Sequence, residues 1–425
     1  MTSQDETATT LTNPVHLTPE QVEDPVRGYA DLRTRDELPH VVLPGLHTPV
    51  RLVTRYADVK AALTEPRLIR DRTRIPGPPA EASDAQDELM EAASAGLPAE
   101  YVKYFAGHLA LFDGDEHARR RAPLTRAFTA RRIAALRDFV ERTADALIAE
   151  ADASGGGTDL LGEFAYPLAT QVICELIGVD ERDRDQVCSW MRDFAFGDGS
   201  RAGEALVALV EHTRELIARR RAEPTGDLIS ALLQGARDDE DPLTEDDLIG
   251  IVFLLINTGI TPPALFLAHA ALALLDHPEQ AARLHADPAL LPRAVPELLR
   301  YVSIVRVGAT LYATEDFDFA GTALRRGEAV TVALLAADHD PGEFGAEAEH
   351  LEISREFGRG DGHVAFGHGA HYCIGAALGR LITTVVLDRL FVRRATLRLA
   401  VTRPALEFAH WPGDGFHLLR LPVHL

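Results

Sequence analysis

One short stretch concentrates the groups that could do chemistry: Phe366-Gly-His-Gly-Ala-His-Tyr-Cys373-Ile-Gly-Ala-Ala-Leu-Gly-Arg380. Gly367, Gly369 and Gly375 crowd a single cysteine. Glycines permit tight turns and let the backbone approach a flat ligand closely. Cys373 stands where a new helix begins, and the free N–H groups and dipole of a helix start favour a thiolate. A thiolate held in this way is a metal ligand or a nucleophile. By residue type alone two other readings stay open: a buried structural cysteine beside a glycine-rich turn, or a zinc site from His368, His371 and Cys373. The zinc site lacks a fourth ligand and the usual paired spacing.

The stretch resembles the haem-binding loop of the cytochrome P450 family, Phe-Gly-x-Gly-x-His-x-Cys-x-Gly-x-x-Leu-Ala-Arg. Only Gly379, in place of alanine, departs from it. Glu297-Leu-Leu-Arg300 resembles the family's Glu-x-x-Arg helix, and His117 with Arg121 resembles its His-x-x-x-Arg haem-propionate pair. The resemblance runs from about residue 25 to the C-terminus and is nearest to the soluble bacterial branch. It implies a mainly α fold with small β-sheets, triangular in outline, with a long central helix crossing a buried haem.

The resemblance also implies roles. Cys373 would be the axial iron ligand, with Phe366 and Gly367 in the cofactor-binding loop. His117, Arg121 and His371 would pair with the haem propionates. Glu297 and Arg300, joined by Arg355, would form a buried structural ion pair. No Cys-x-x-Cys-His occurs, so haem b (iron protoporphyrin IX) would be held without covalent bonds. A ferredoxin-type electron donor would dock on the basic face Arg119–Arg132, a pointed feature on a chain of net charge −22.

Three departures stand out. Where the family carries an acid–alcohol pair on its central helix, this chain reads Thr258-Gly259-Ile260-Thr261-Pro262-Pro263. The acid has become Thr261 and the alcohol Pro262, and the prolines remove two N–H donors. These residues, Thr258, Gly259, Thr261 and Pro262, are the candidate catalytic set. Leu311 stands where the family places a propionate-binding arginine, with Arg306 five residues earlier as a candidate substitute. His339 stands where the bacterial branch has arginine.

The expected activity is a monooxygenase or atypical oxidase acting on a specialised-metabolite intermediate, as in antibiotic biosynthesis. The alternative is a non-catalytic relative that binds and activates a partner enzyme such as a glycosyltransferase. The intact cysteine loop argues against that alternative.

The elements that must position these residues can be read from pattern. The chain has 425 residues, 46% hydrophobic and 25% charged, as in a soluble globular protein. Its acidic balance argues against nucleic-acid binding. Three cysteines in so long a chain suggest a reducing compartment. Residues 1–20 read as a flexible segment with no signal peptide, and 21–425 as one domain, cytoplasmic and monomeric. Leu248 to Leu275 carries no Lys, Arg, Asp or Glu. Its central Asn257, Thr258, Thr261 and prolines and its acidic flanks point to a buried core helix rather than a membrane span. Thr244 with Asp247 predicts its capping box. Helices are expected over His117–Ala151, Phe164–Ile177, Glu204–Ala222, 277–302 and Ile374–Val392. Strands are expected over 50–56, 308–335 and the last thirty residues. Residues 72–100 read as a mobile surface stretch, and 194–200 and 238–244 as loops.

Overall fold

The computed structural model describes residues 14–75, 85–106, 109–155, 157–196, 199–238, 243–358 and 362–425. The helices that carry the site are α1 (Gly114–Ala127), α2 (Tyr166–Ile177), α3 (Glu245–Asp276), α4 (Leu291–Val302) and α5 (Ala376–Leu387). The charge-free run expected as a core helix is the middle of α3. Thr244 Oγ1 accepts from Asp247 N at 3.1 Å, and Asp247 Oδ2 accepts from Thr244 N at 3.0 Å, so the capping box starts the helix as predicted. Helical structure continues through Pro262 and Pro263. Helix α2 packs across α3 at Gly259, where a Cβ would lie 2.6 Å from Ile173 Cδ1, so only glycine permits this approach. By length and hydropathy α3 and the Leu160–Ile177 segment would each suit a membrane span. They are 67% and 72% buried inside the protein, as core helices are.

A sheet of short strands closes one side: β1 (Val15–His16), β2 (His40–Val42), β3 (Val50–Val53), β4 (Leu68–Ile69), β5 (Leu311–Ala313) and β6 (Ala329–Val332). Its order is β1-β2-β3-β6-β5-β4. The antiparallel β4–β5 pair sets Leu68 opposite Ala313 and Ile69 opposite Tyr312. Smaller sheets join Gly157–Asp159, Arg398–Leu399 and Pro422–His424, and pair Phe408–Trp411 with Gly415–Leu418.

Several expectations need correction. The strand expected over 50–56 ends at Val53, and a helix begins at Tyr56. The long helix from His117 is broken into Gly114–Ala127, Ala130–Ala135 and Arg137–Ala153. The stretch read as mobile contains helices Ala85–Ser94 and Ala99–Ala106, while 76–84 lie outside the described residues. Ala85 is buried and Leu89 packs on the same apolar cluster, which gives that helix a face to bury. The 194–200 loop shrinks to the junction of helices Arg184–Phe196 and Gly199–Ala222, with 197–198 outside the described residues. Most of the acidic loop, 239–242, also lies outside them, as does the segment 1–13. Pro14 onward belongs to the fold, because Val15-His16 pair with Val41-Val42.

Candidate active site

Cys373 sits on a loop built by two left-handed glycines, Gly367 and Gly369, each at φ 72°. At Gly369 a Cβ would come 2.8 Å from the Leu63 carbonyl oxygen, so the loop also needs glycine for space. Cys373 N donates to Phe366 O at 2.9 Å and closes the loop on itself. The thiol is accessible on one side but otherwise walled by protein. Burial therefore pushes its pKa up, opposed by the N–H groups of Gly375 and Ala376 and by the guanidiniums of Arg121 and Arg380. The N–H groups at the helix start act in the direction expected, towards the thiolate. Desolvation is the largest influence on the thiol, and the two guanidiniums oppose it together with the N–H groups.

Helix α1 lies against this loop. Arg121 donates to the Tyr372 carbonyl oxygen, and Arg380 donates to the Tyr372 hydroxyl at 2.8 Å. His117 and His371 stack with ring centroids 4.0 Å apart. His117 is 4% exposed, and its Nε2 is buried with no hydrogen-bond partner. Burial, helped by His371, Arg121 and Arg70, pushes its pKa down to about 4. His371 Nε2 faces Asp113 Oδ1 at 3.7 Å. Burial lowers its pKa too, against the raising effect of Asp113. The expected group His117, Arg121, His371, Phe366, Gly367 and Cys373 is therefore brought together.

Arg70 and Asp113, which the sequence reading missed, belong to the same cluster. Nothing in their spacing from Cys373 marks them. The only local sign is that Arg70 follows an apolar strand pair and Asp113 precedes a helix.

These residues fit a haem. The sulfur is presented by backbone N–H groups between two guanidiniums, and a cationic shelf with an orphaned imidazole nitrogen lies beside it.

The structural triad is complete in itself. Glu297 and Arg300 are both 0% exposed. Arg300 donates to both Glu297 oxygens at 2.8 and 2.9 Å. Arg355 Nε donates to Glu297 Oε2 at 3.0 Å. The remaining Arg300 donors reach the carbonyls of Asp338, Ala348 and His350 at 2.7 to 3.0 Å.

On α3, Thr258 Oγ1 donates to Leu254 O at 2.7 Å. Thr261 is 6% exposed. Its hydroxyl lies beside that of Tyr166, whose pKa is raised by burial and lowered slightly by Thr261. Tyr166 lines a cavity of about 660 Å³ together with Asp185, Cys188 and Arg192.

Arg306 does not turn towards the cysteine loop. Its Nε pairs with Glu23 Oε1 at 2.8 Å, and its Nη2 donates to Phe416 O at 2.9 Å. The basic face is also narrower than expected. Arg119 and Arg120 pair with Glu116 and with Asp247 at the start of α3. Arg126 and Arg131 remain exposed, Arg126 at the rim of a hollow of about 440 Å³ that also includes Arg121 and Ala370.

A long core helix packed on the helix that follows the cysteine loop, a cationic shelf and a closed Glu–Arg–Arg triad are the parts expected of a haem-thiolate protein. The family model named Cytochrome P450 matches residues 198–398. Cytochrome P450 107B1 of Saccharopolyspora erythraea is 39% identical over 84% of this chain and 85% of its own. The 6-deoxyerythronolide B hydroxylase of the same organism is 35% identical, over 88% and 90%. The solved structure of the ligand-free P450 monooxygenase TamI superposes with TM-score 0.82 at 33% identity, over 97% of this chain and 94% of that one. The chain belongs to the cytochrome P450 family. It is a monooxygenase-type oxidoreductase that uses haem, takes a small-molecule substrate and receives electrons from a redox partner.

Proposed function

We propose that this chain binds haem b, with Cys373 as the residue that would hold its iron, and oxidises a bulky, largely apolar specialised metabolite. The observation that carries this is the cysteine loop. The N–H groups of Gly375 and Ala376 and the charges of Arg121 and Arg380 all favour its thiolate, and the His117 and His371 rings lie together with centroids 4.0 Å apart. When bound, the haem supplies dioxygen activation and oxygen insertion. His117, Arg121 and His371 hold its propionates, and Glu297, Arg300 and Arg355 fix the core behind it. The hydroxylase of 6-deoxyerythronolide B among the relatives supports a substrate of natural-product size.

Thr261 and Pro262 make proton delivery atypical. Thr261 Oγ1 holds a proton beside the Tyr166 hydroxyl, and Tyr166 opens on a cavity able to hold water. A hydroxyl can accept one proton and release another without becoming charged, so a high phenol pKa does not bar this route. Thr258 and Gly259 shape the adjoining wall of α3. A ferredoxin-type donor docks by its acidic face at Arg126 and Arg131, and the protein works as a cytoplasmic monomer.

The test is the spectrum of reduced protein under carbon monoxide. A red-shifted Soret band is expected. Purified protein without haem would overturn the proposal and favour an auxiliary protein that activates a partner enzyme. For the proton route, Pro262→Thr should alter the coupling of electron use to product, and unchanged coupling would sink it.

A further inference from the structure

The cationic shelf holds one guanidinium that, among the described residues, is reached by the charge of Asp113 but paired with no carboxylate. Arg70 lies just after β4. Its Nη1 donates to Ala110 O at 2.8 Å, and its Nε is buried with no partner. Among the described residues the guanidinium joins no ion pair. Asp113, the nearest carboxylate, is already in use. Its Oδ2 accepts from the backbone N–H groups of Arg70 and Asp71 at 2.7 and 2.8 Å, and its Oδ1 faces His371. Burial draws the Arg70 pKa down to about 10, so the group is strained by desolvation yet still charged at neutral pH. Its field also lowers the pKa of both His117 and His371, which sets it in the same cluster. Arg70 and the two histidines thus share a single occupied carboxylate, Asp113. A buried charge without a counter-ion is costly, so the arrangement makes sense only with an anion beside it.

Strand register says where that charge belongs. The pairs Leu68–Ala313 and Ile69–Tyr312, continued by one residue, set Arg70 opposite Leu311. Residues directly opposite each other on an antiparallel pair project to the same face. Leu311 itself is 4% exposed and apolar, and Arg306 is committed to Glu23. The cation missing from β5 therefore reappears across the strand pair, on the same face.

We propose that Arg70 binds a haem propionate and completes the shelf of His117, Arg121 and His371, having taken over across the strand the charge that Leu311 lacks. This rests on the haem reading above. Guanidinium–carboxylate pairing is charge-assisted and can be bidentate.

The test is the rate at which holoprotein loses haem to excess apomyoglobin, with the reduction potential as a second readout. Arg70→Leu should lose haem about tenfold faster or more, the loss of one charge-assisted hydrogen bond, and its potential should become more negative. Restoring the charge from the opposite strand in the double variant Arg70→Leu/Leu311→Arg should return the rate to within about threefold of the parent, a residual of well under one such bond. Arg182→Gln, at an exposed arginine outside the shelf and the docking face, should change neither. Should Arg70→Leu yield no folded haem protein, Arg70→Gln replaces it and is read in the same way; if neither single variant folds, recovery of haem protein by the double variant supports the proposal and its failure overturns it. A single variant with parental haem loss and potential overturns it, as does a double variant no better than the single. A parent protein that binds no haem sinks the earlier reading instead, so the two failures are distinguishable.

Discussion

Two buried clusters of arginines, histidines and carboxylates lie in this molecule, and they are built on opposite terms. In the Glu297–Arg300–Arg355 triad the charges answer one another within the chain: both Glu297 oxygens accept guanidinium N–H groups, and the spare Arg300 donors end on carbonyls. In the shelf beside Cys373 the sum does not close. His117 Nε2 and Arg70 Nε are buried without partners, and the one carboxylate is used up by backbone N–H groups and His371. A structural cluster satisfies itself, whereas a binding cluster stores its unsatisfied groups for the ligand. Single orphaned atoms occur elsewhere too, Asp338 Oδ2 near the triad among them; the shelf differs in gathering two around one shared carboxylate.

The contrast can be broken at several points. The largest effect is expected at the sulfur: Cys373→Ser should abolish the red-shifted band of the reduced carbon monoxide complex while circular dichroism keeps its helical signal. A band that survives would remove the cysteine from the metal. Next comes the self-satisfied triad. Glu297→Ala leaves two guanidiniums facing an uncharged site and should cost about 3–5 kcal/mol of stability, read from urea unfolding. A loss under about 1 kcal/mol would deny that the triad is a closed unit, since surface pairs are worth no more than that.

A smaller effect sharpens the same side of the contrast. His339, 2% exposed and near Arg300, has its pKa pushed down to about 3, by burial first and then by Arg300. Its value in the unfolded chain is ordinary, near 6.5. Between these values the unfolded state binds one proton more, so stability rises with pH there and is lost as pH falls from about 6.5, by about 1.4 kcal/mol per pH unit for each such proton. His339→Gln should flatten the slope of unfolding free energy against pH over that window by up to one proton, and an unchanged slope would show that the imidazole titrates normally. The smallest effect belongs to the rim. Arg126→Glu with Arg131→Glu should weaken the electron donor several-fold at low salt, about 1 kcal/mol in all, and much less at high salt. Equal effects at both salt levels would exclude electrostatic docking there.

Much of this was legible from residue order. The glycines around Cys373, the charge-free run of α3 and its Thr244–Asp247 cap are local patterns, and local patterns translate directly into turns, a buried helix and a helix start. Arg119 and Arg120 were misread for the opposite reason. A run of arginines looks like one basic face, but a helix turns 100° per residue, and these two point at Asp247, some 130 residues away in the chain. The helix at Ala85–Ser94 was hidden because its acidic, alanine-rich composition resembles a loop until Leu89 and Ala85 find an apolar cluster.

Residue order sets out the chemistry on offer: one cysteine in a glycine-built loop, a His–Arg pair one turn apart, and a charge-free helix that reads Thr261-Pro262 near its middle. Only the tertiary structure decided which charges are spent and which are spare. It commits Arg306 to Glu23, and it pairs Leu68-Ile69 with Tyr312-Ala313, a register that brings together segments some 240 residues apart and so carries Arg70 towards Leu311. Charge balance is a through-space quantity, and no spacing along the chain encodes it until the strands have paired.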